Sequence, residues 1–336
     1  MPTSETRSAA RAARPDSPPA GDDFAAAIDG HRRGVVLLCY RFLGSLSEAE
    51  DAAQEAALRA WRARAQFRGQ ASLRTWLHRI AARVCLDQVR RKKGRVLPMT
   101  YRPPAKTVGP PEPPPTDVAW LEPIPDGFIV GTGLDPAARY DLRESVSLAF
   151  IAALQVLPPR QRAVLLMRDV LGWTAAETAE ALDMSVPAAN SALHRARTSL
   201  RETHHRTGRE AVASAPPDDP AARRLLDAYV RAWQADDVPG LLATMREDVR
   251  LAMPPTPTWY EGKAIVAEVL RQWVFDALRP AGGYRVRATA ANGQPAAVFG
   301  PADAGAPPTA VQVLELDGGA VRAITVFLDP AIAERF

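Results

Sequence analysis

Proline is spread unevenly along this 336-residue chain, and that limits what it can fold into. Eleven of the 31 prolines lie between residues 98 and 136, and none occurs from residue 22 to residue 94. Proline lacks an amide hydrogen and fixes φ, so it interrupts helices and central strands alike. A stretch this rich in it is expected to run as extended, partly polyproline chain. The chain is therefore cut into separate folding units. With 47% apolar and 24% charged residues it has material for real cores, and at ~150 residues per domain two or three domains are expected.

The composition shifts give the boundaries. Residues 1–21 read as a disordered tail and 22–95 as a helical domain. Residues 96–138 are the linker, in which Asp and Glu outnumber Arg and Lys. Residues 139–207 are helical again, 208–220 form a second Pro- and Asp-containing linker, and 221–336 change to helices followed by alternating strands. No run reaches the ~18 apolar residues of a membrane span. The first twenty residues lack the apolar segment of a signal peptide. A cytoplasmic location with no membrane partner is expected. Cys39 and Cys85 sit inside apolar helical patterns and read as buried small hydrophobes; no metal and no cofactor is expected. The net charge of +4 does not by itself single out a nucleic-acid binder. Its distribution does more, because seven Arg and Lys face one Asp between Arg79 and Arg95.

In the first helical block, Ser47-Glu48-Ala49-Glu50 reads as a capping box. The helix it opens carries Ala53, Ala57, Ala60 and Trp61 on one face, and Asp51, Gln54, Glu55 and Leu58 on another. That second face is either a solvated acidic surface or a dock for a basic helix. Next comes Phe67-x-Gly69-x-x-Ser72, in which Gly69 frees the loop backbone and Ser72 can cap the following helix. Leu73, Trp76, Leu77, Ile80, Val84 and Val89 supply its apolar stripe, with Trp76 as core filler or as a wedge facing bases. Arg90-Arg91-Lys92-Lys93 exceed what a helix dipole needs and point to phosphate contact.

In the second block, Thr174-Ala175-Ala176-Glu177 is another capping box, opening a helix to about Leu182. Asp183-Met184 makes a turn, Ser185 caps the next helix, and Pro187 falls in its first turn, where it is harmless. Ala189, Leu193, Ala196 and Leu200 form a buried stripe. The opposite face shows Ala188, Asn190, Ser191, His194, Arg195 and Thr198, with Arg197 alongside. Two helices, a tight turn and a polar, basic second helix describe a helix-turn-helix whose second helix enters the major groove.

Together these residues resemble an extracytoplasmic-function sigma factor of the sigma-70 family, over roughly residues 22–207. Asp51-x-x-Gln54-Glu55 with Leu58 and Trp61 is similar to the family surface that binds the β′ coiled coil of core RNA polymerase. Phe67-x-Gly69-x-x-Ser72-x-x-Thr75-Trp76-Leu77 resembles the strand-separation motif for the −10 promoter element, and Asp87-x-x-Arg90-Arg91 the adjoining DNA-reading helix. Leu157-Pro158-x-x-Gln161-Arg162 and the helix-turn-helix resemble region 4, which reads the −35 element. The resemblance implies a transcription initiation factor, not an enzyme, that binds the β′ and β subunits of core polymerase and melts promoter DNA. It places Phe67, Gly69, Ser72, Trp76, Arg83, Asp87, Arg90, Arg91, Lys92 and Lys93 at the −10 element. It also places the linker near the polymerase active site, where a mere tether is the alternative. Two positions depart from the family pattern: Arg83, where asparagine is usual, and Ala189, where a larger aliphatic is usual.

After residue 221, Leu225, Leu226, Tyr229, Val230 and Trp233 define an amphipathic helix, and a second helix is expected over 263–275. Strands follow near 284–290, 296–299, 310–316 and 321–328, the last two joined by Asp317-Gly318-Gly319. This order resembles the SnoaL-like branch of the NTF2-like folds, an α+β cone. Trp120-Leu121-Glu122-Pro123 resembles the linker of sigma factors carrying such a domain. All five histidines precede the cone, and Glu261, Asp276 and Glu315 form no spaced pair, so the low-ranked alternative is an isomerase or cyclase activity. Met253, Trp259, Tyr260 and Trp273 could line a pocket for a small-molecule ligand, or be core. The expected role is regulatory, through intramolecular contact with the DNA-binding modules. A conventional helix-turn-helix regulator is the other reading, but it leaves the first block unused.

Overall fold

A computed structural model describes residues 21–129, 141–207, 215–303 and 305–336. The expected N-terminal tail falls outside these residues except for Gly21, as do parts of both linkers. The first module is built from α1 (Gly21–Gly30), α2 (Arg32–Leu43), α3 (Leu46–Arg62) and α4 (Leu73–Val89). Every residue of α2 from Val35 to Leu43 is buried, since α3 and α4 pack on it and the linker and second module cover the rest. This is why its sequence, VVLLCYRFL, has no polar face.

Helix α2 ends at left-handed Gly44 (φ 70°), whose N–H donates to the Tyr40 carbonyl. The next residue, Ser45, is the cap of α3 and accepts from the Glu48 N–H at 3.3 Å. This corrects the expected Ser47–Glu50 box. Ser45-Leu46-Ser47-Glu48 carries the same spacing two residues earlier, and the Gly44 break decides which serine is extended. Ser72 caps α4 as expected, accepting from the Thr75 N–H at 3.1 Å.

The second module comprises α5 (Leu148–Val156), α6 (Pro159–Leu165) continuing as a π turn to Val170, α7 (Ala175–Ala181) and α8 (Val186–Thr207). The Thr174 box is formed on both sides, with Thr174 N–H to Glu177 Oε2 at 2.8 Å and Glu177 N–H to Thr174 Oγ1 at 3.2 Å. Asp183 takes φ 50°, a conformation aspartate tolerates.

The C-terminal domain opens with α9 (Pro220–Gln234) and α10 (Val238–Ala243). Its sheet contains β1 (Met245–Ala252), β2 (Trp259–Glu261), β3 (Tyr284–Ala291), β4 (Gln294–Pro301), β5 (Ala310–Asp317) and β6 (Ala320–Phe327), in the order β2-β1-β6-β5-β4-β3. In this sheet β1 and β6 pair in parallel and the other described pairings are antiparallel. Between β2 and β3 lies α11 (Lys263–Val269), which passes into a π-helical stretch to Ala277; α12 (Pro330–Ala333) closes the chain. One sheet face, with Leu314, Leu316, Ile324 and Phe299, packs on α9 and α11 as the domain's own core. The other, with Ala296, Val298, Val311, Val313 and Phe327, joins the core of the two helical modules. Burial on both faces explains the nearly continuous apolar runs of β4, β5 and β6.

The proline-rich linker is not a free tether over its described part. Leu97, Leu121 and Ile124 are fully buried, and a bridge pairs Val96 with Trp120. Prolines leave few backbone donors, yet Glu122 N–H reaches Gly44 O at 2.9 Å and Ala105 N–H reaches Trp259 O at 2.8 Å. The segment is a strap against both folded bodies.

Candidate nucleic-acid and polymerase interface

On α3, Asp51, Gln54 and Leu58 are exposed, and Glu55 is engaged by Arg59 at 2.7 Å one turn on. Leu58 is 46% exposed, a large apolar side chain among acids. It stands on the rim of a groove of about 470 Å³ between α1, α2 and α3, with Gln54 and Trp61. An apolar knob in an acidic surrounding suits a partner helix that presents both basic and apolar groups.

The loop before α4 is built on aromatic packing. Phe67 is 5% exposed, with its ring centroid 5.3 Å from Trp76 and 6.3 Å from Phe24. Phe67 and half-buried Trp76 thus form the floor of the loop, and neither ring stands free in solvent. Phe24, on α1, escaped the sequence reading because it lies 43 residues before Phe67 in a short helix with no motif. Gly69 takes φ 67°, the left-handed value that a glycine there permits. The Ser72 hydroxyl is occupied by the cap and by Thr75 Oγ1 at 2.9 Å.

The cations past α4 are exposed. They lie in the turn that follows the helix, since α4 ends at Val89 with Arg90 as its C-cap. Lys92 contacts Glu48 at 2.7 Å, Lys93 lies 3.9 Å from Asp117, and both Arg90 and Arg59 lie 3.9 Å from Asp87. Burial tends to raise the Glu48 carboxyl pKa, but Lys92 and Arg95 outweigh it and hold Glu48 below the usual range.

On α8, Asn190, Ser191, His194, Arg195 and Arg197 are exposed, as is Ser185 before it, and Ala188 is half-buried. Ala189 is fully buried. Arg197 is held by two hydrogen bonds to Asp169, at 2.7 and 3.0 Å.

The two helical modules abut. Arg79 of α4 donates to both Glu180 oxygens at 2.8 and 3.3 Å. Arg83 donates to the Ala181 carbonyl at 3.2 Å and to Asp183 at 3.3 and 3.4 Å. The unusual arginine at 83 therefore meets the turn of the helix-turn-helix.

A second junction joins all the parts at the β3–β4 hairpin. Asn292 is fully buried and left-handed (φ 56°). Its Nδ2 donates to Tyr40 Oη of α2 at 2.8 Å and to the Val146 carbonyl before α5 at 2.7 Å. Its Oδ1 accepts from Ile124 N–H at 3.0 Å, and its own N–H donates back to Ile124 O at 2.9 Å. Tyr40 Oη in turn donates to Glu122 O at 2.7 Å. Gly293 N–H donates to Asp126 Oδ1 at 2.8 Å. A Cβ on Gly293 would lie 2.9 Å from Arg143 Cβ, so only glycine fits there. The Asn-Gly dipeptide is a strong hairpin signal that the sequence reading passed over. At the other edge, Arg335 contacts Glu50 at 2.8 Å, beside Asp51.

Burial pushes the Asp126 carboxyl up to about 6, against the Gly293 N–H and Arg143. Burial, with Arg74 and Arg41, pushes His78 down to about 4. The signs oppose. The folded state holds the Asp126 proton more tightly than the unfolded chain, so stability falls as pH rises from about 4 to 6. His78 binds its proton less tightly when folded, so stability rises over about 4 to 6.5. Asp126→Asn keeps the acceptor and removes the charge. It is expected to raise stability at pH 7 by up to ~3 kcal/mol and to leave the rising slope of His78, with His31 adding to it in the same sense, checked by urea unfolding from pH 4 to 7.5.

Of the four residues expected as a pocket, Tyr260, Met253 and Trp273 gather at the inner core, and Trp259 turns to the linker. Trp259 and Tyr260 are neighbours in β2 and point to opposite faces. Tyr260 enters the inner core, whereas Trp259 Nε1 donates to Arg102 O of the linker at 2.7 Å. Met253 and Trp273 pack partly buried against the inner core. Glu261 is paired with Arg250 at 2.8 Å, and Glu315 lies 3.9 Å from Arg322. Among the described residues no His, Cys, Asp or Glu group could hold a metal ion, and no helix is long and apolar enough to cross a membrane.

Residues 27–95 match the family described as Sigma-70 region 2, and residues 147–200 match Sigma-70, region 4. These define a sigma-70-related initiation factor. The RNA polymerase sigma factor SigG of Mycobacterium tuberculosis is 40% identical over 317 residues, covering 94% of this chain and 83% of SigG. The chain belongs to the extracytoplasmic-function RNA polymerase sigma factors, transcription initiation factors of the sigma-70 class. SigW of Bacillus subtilis is 28% identical over 54% of this chain and 88% of its own. The crystal structure of M. tuberculosis SigJ shares the fold, with a TM-score of 0.57 and 21% identity over 91% of this chain and 97% of that one.

Proposed function

We propose that the α3 face of Asp51, Gln54, Glu55 and Leu58 docks the β′ coiled coil of core RNA polymerase. In this reading the α4 loop and the cations from Arg90 to Lys93 hold and melt the −10 element, and α8 reads the −35 element through Asn190, Arg195 and Arg197. The C-terminal domain governs access to this state. One observation carries the regulatory part: Arg79 and Arg83 of the −10 module are hydrogen-bonded to Glu180, Ala181 and Asp183 of the −35 module. Elements named for positions 25 nucleotides apart lie on the order of 80 Å apart on duplex at 3.4 Å per step. Modules in direct contact cannot span that, so the described arrangement is a closed one, which opens on polymerase.

The Asn292 junction ties the C-terminal domain to both modules and to the strap, which supports its role in holding the closed form. Arg195 can hydrogen-bond a base edge bidentately. Arg195→Ala is expected to cost ~1–3 kcal/mol of discrimination at one −35 base pair, with little change on a promoter already mismatched there. Competition binding of holoenzyme to single-base −35 variants checks this. A uniform loss across all variants would assign Arg195 to the phosphates.

A further inference from the structure

A groove of about 1360 Å³ runs between the first module and the recognition helix. Its first wall carries Arg41 of α2 and Arg74 of α4, and its second carries His194 and Arg201 of α8. Arg41 is 3% exposed, and its guanidinium donates only to neutral acceptors, Ser145 Oγ at 2.6 Å and Ser145 O at 3.2 Å. Among the described residues neither Arg41 nor Arg74 forms an ion pair.

Among the described residues, the charged groups that act on Arg41, His78 and His31 are other cations. His78, also 3% exposed, has no hydrogen-bond partner for its buried Nε2. Its pKa is lowered by burial and then by Arg74, Arg41 and His31. Burial and Arg74 push Arg41 down to about 9, and burial and Arg74 lower His31 as well. Among the described residues no carboxylate counters the shift at any of the three. Three acids also line the groove: Asp169, which is held by Arg197, and Asp141 and Glu144, both exposed. Burying a cation without a counter-charge is costly, and a guanidinium fork matches phosphate oxygens.

We propose that this groove binds a small phosphate-bearing anion of the pyrophosphate class, held by Arg74 and Arg41 from one wall and met by Arg201 and His194 from the other. Bound there, the anion bridges the two modules and favours the closed form. That consequence rests on the regulatory reading above, whereas the binding does not. Inorganic pyrophosphate and the diphosphate of a nucleotide share this chemistry.

Calorimetric titration of the full chain with inorganic pyrophosphate, at constant ionic strength with sulfate as control, tests the site. Saturable 1:1 binding is expected, weakened roughly tenfold or more by Arg74→Ala, which removes one charge-assisted contact. Arg271→Ala, an exposed cation outside the groove, should leave it unchanged. The His78 titration seen by NMR should move up on binding, and also in unliganded Arg74→Ala. A parallel titration with a nucleoside diphosphate distinguishes the sources: tighter binding assigns the site to a nucleotide, equal binding to free pyrophosphate. No saturable binding of pyrophosphate, or binding undiminished in Arg74→Ala, overturns the proposal. Promoter melting by holoenzyme is measured separately, so intact melting without anion binding removes this inference alone.

Discussion

Replacing Arg90, Arg91, Lys92 and Lys93 together by glutamine is expected to flatten the salt dependence of promoter binding by about 3–4 in the slope of log K against log salt. Each phosphate contact contributes ~0.9 on duplex and ~0.7 on single strands. The same variant should bind on the order of 100-fold more weakly at low salt, with the difference shrinking as salt rises. The fold should tolerate the change, because all four side chains are exposed and the pairs they make, Lys92 with Glu48 among them, are surface pairs worth ~0–1 kcal/mol. Binding of the reconstituted holoenzyme to a promoter fragment across a salt series provides the measurement. A parallel downward shift with unchanged slope would mean that these cations do not meet phosphate.

Asn292→Asp is expected to open the closed arrangement. The substitution keeps the shape and tolerates the left-handed backbone, and it keeps the acceptor for Ile124 N–H. It removes both Nδ2 donations and sets a carboxylate oxygen against the Val146 carbonyl in a fully buried site. Each buried group left unpaired costs ~1–3 kcal/mol. If only the open form binds promoter, apparent affinity scales with its population, so a loss of that size raises promoter binding roughly 10- to 100-fold. Energy transfer between labels on the exposed surfaces of the two helical modules would report the separation, and run-off transcription the gain. A variant that loses stability while distance and transcription stay unchanged would show that the junction is a structural staple and nothing more.

The parts legible in the sequence were those whose signals are local. The Thr174–Glu177 box, the Asp183 turn and the Ser185 cap all formed where their spacing put them. The four strands from 284 onward were found within a few residues at either end. β1 was missed because Met245-Arg246-Glu247-Asp248 shows no apolar alternation, and in the fold Arg246 reaches Asp248 and Asp317. The Ser47 box failed because two serines two residues apart offer the same spacing, and only the Gly44 break chooses between them. Contacts between modules were least legible. A strand apolar on both faces, such as β4, announces two partners without naming either. The side chain of Arg83 reads equally well as a DNA contact or as the clasp it forms with Asp183.

For the site, the α3 and α8 residues are mostly exposed, with Glu55 and Ala188 half-buried, while Phe67 and Trp76 turned inward because Phe24 supplies an aromatic partner from a distant segment. The strap differed for a related reason. Prolines forbid helix and sheet but not burial, and Leu97, Leu121 and Ile124 are apolar enough to dock.

Permanganate probing of a cognate promoter, with this protein and core RNA polymerase together and each alone, goes most directly to the central claim. Reactive thymines across the −10 region should appear only when both are present, and disappear when the α3 face is disabled by Leu58→Glu. Thymines that stay protected with both present, in a complex that nevertheless forms, would contradict the claim that the Gly69 loop and its cationic turn capture an opened strand.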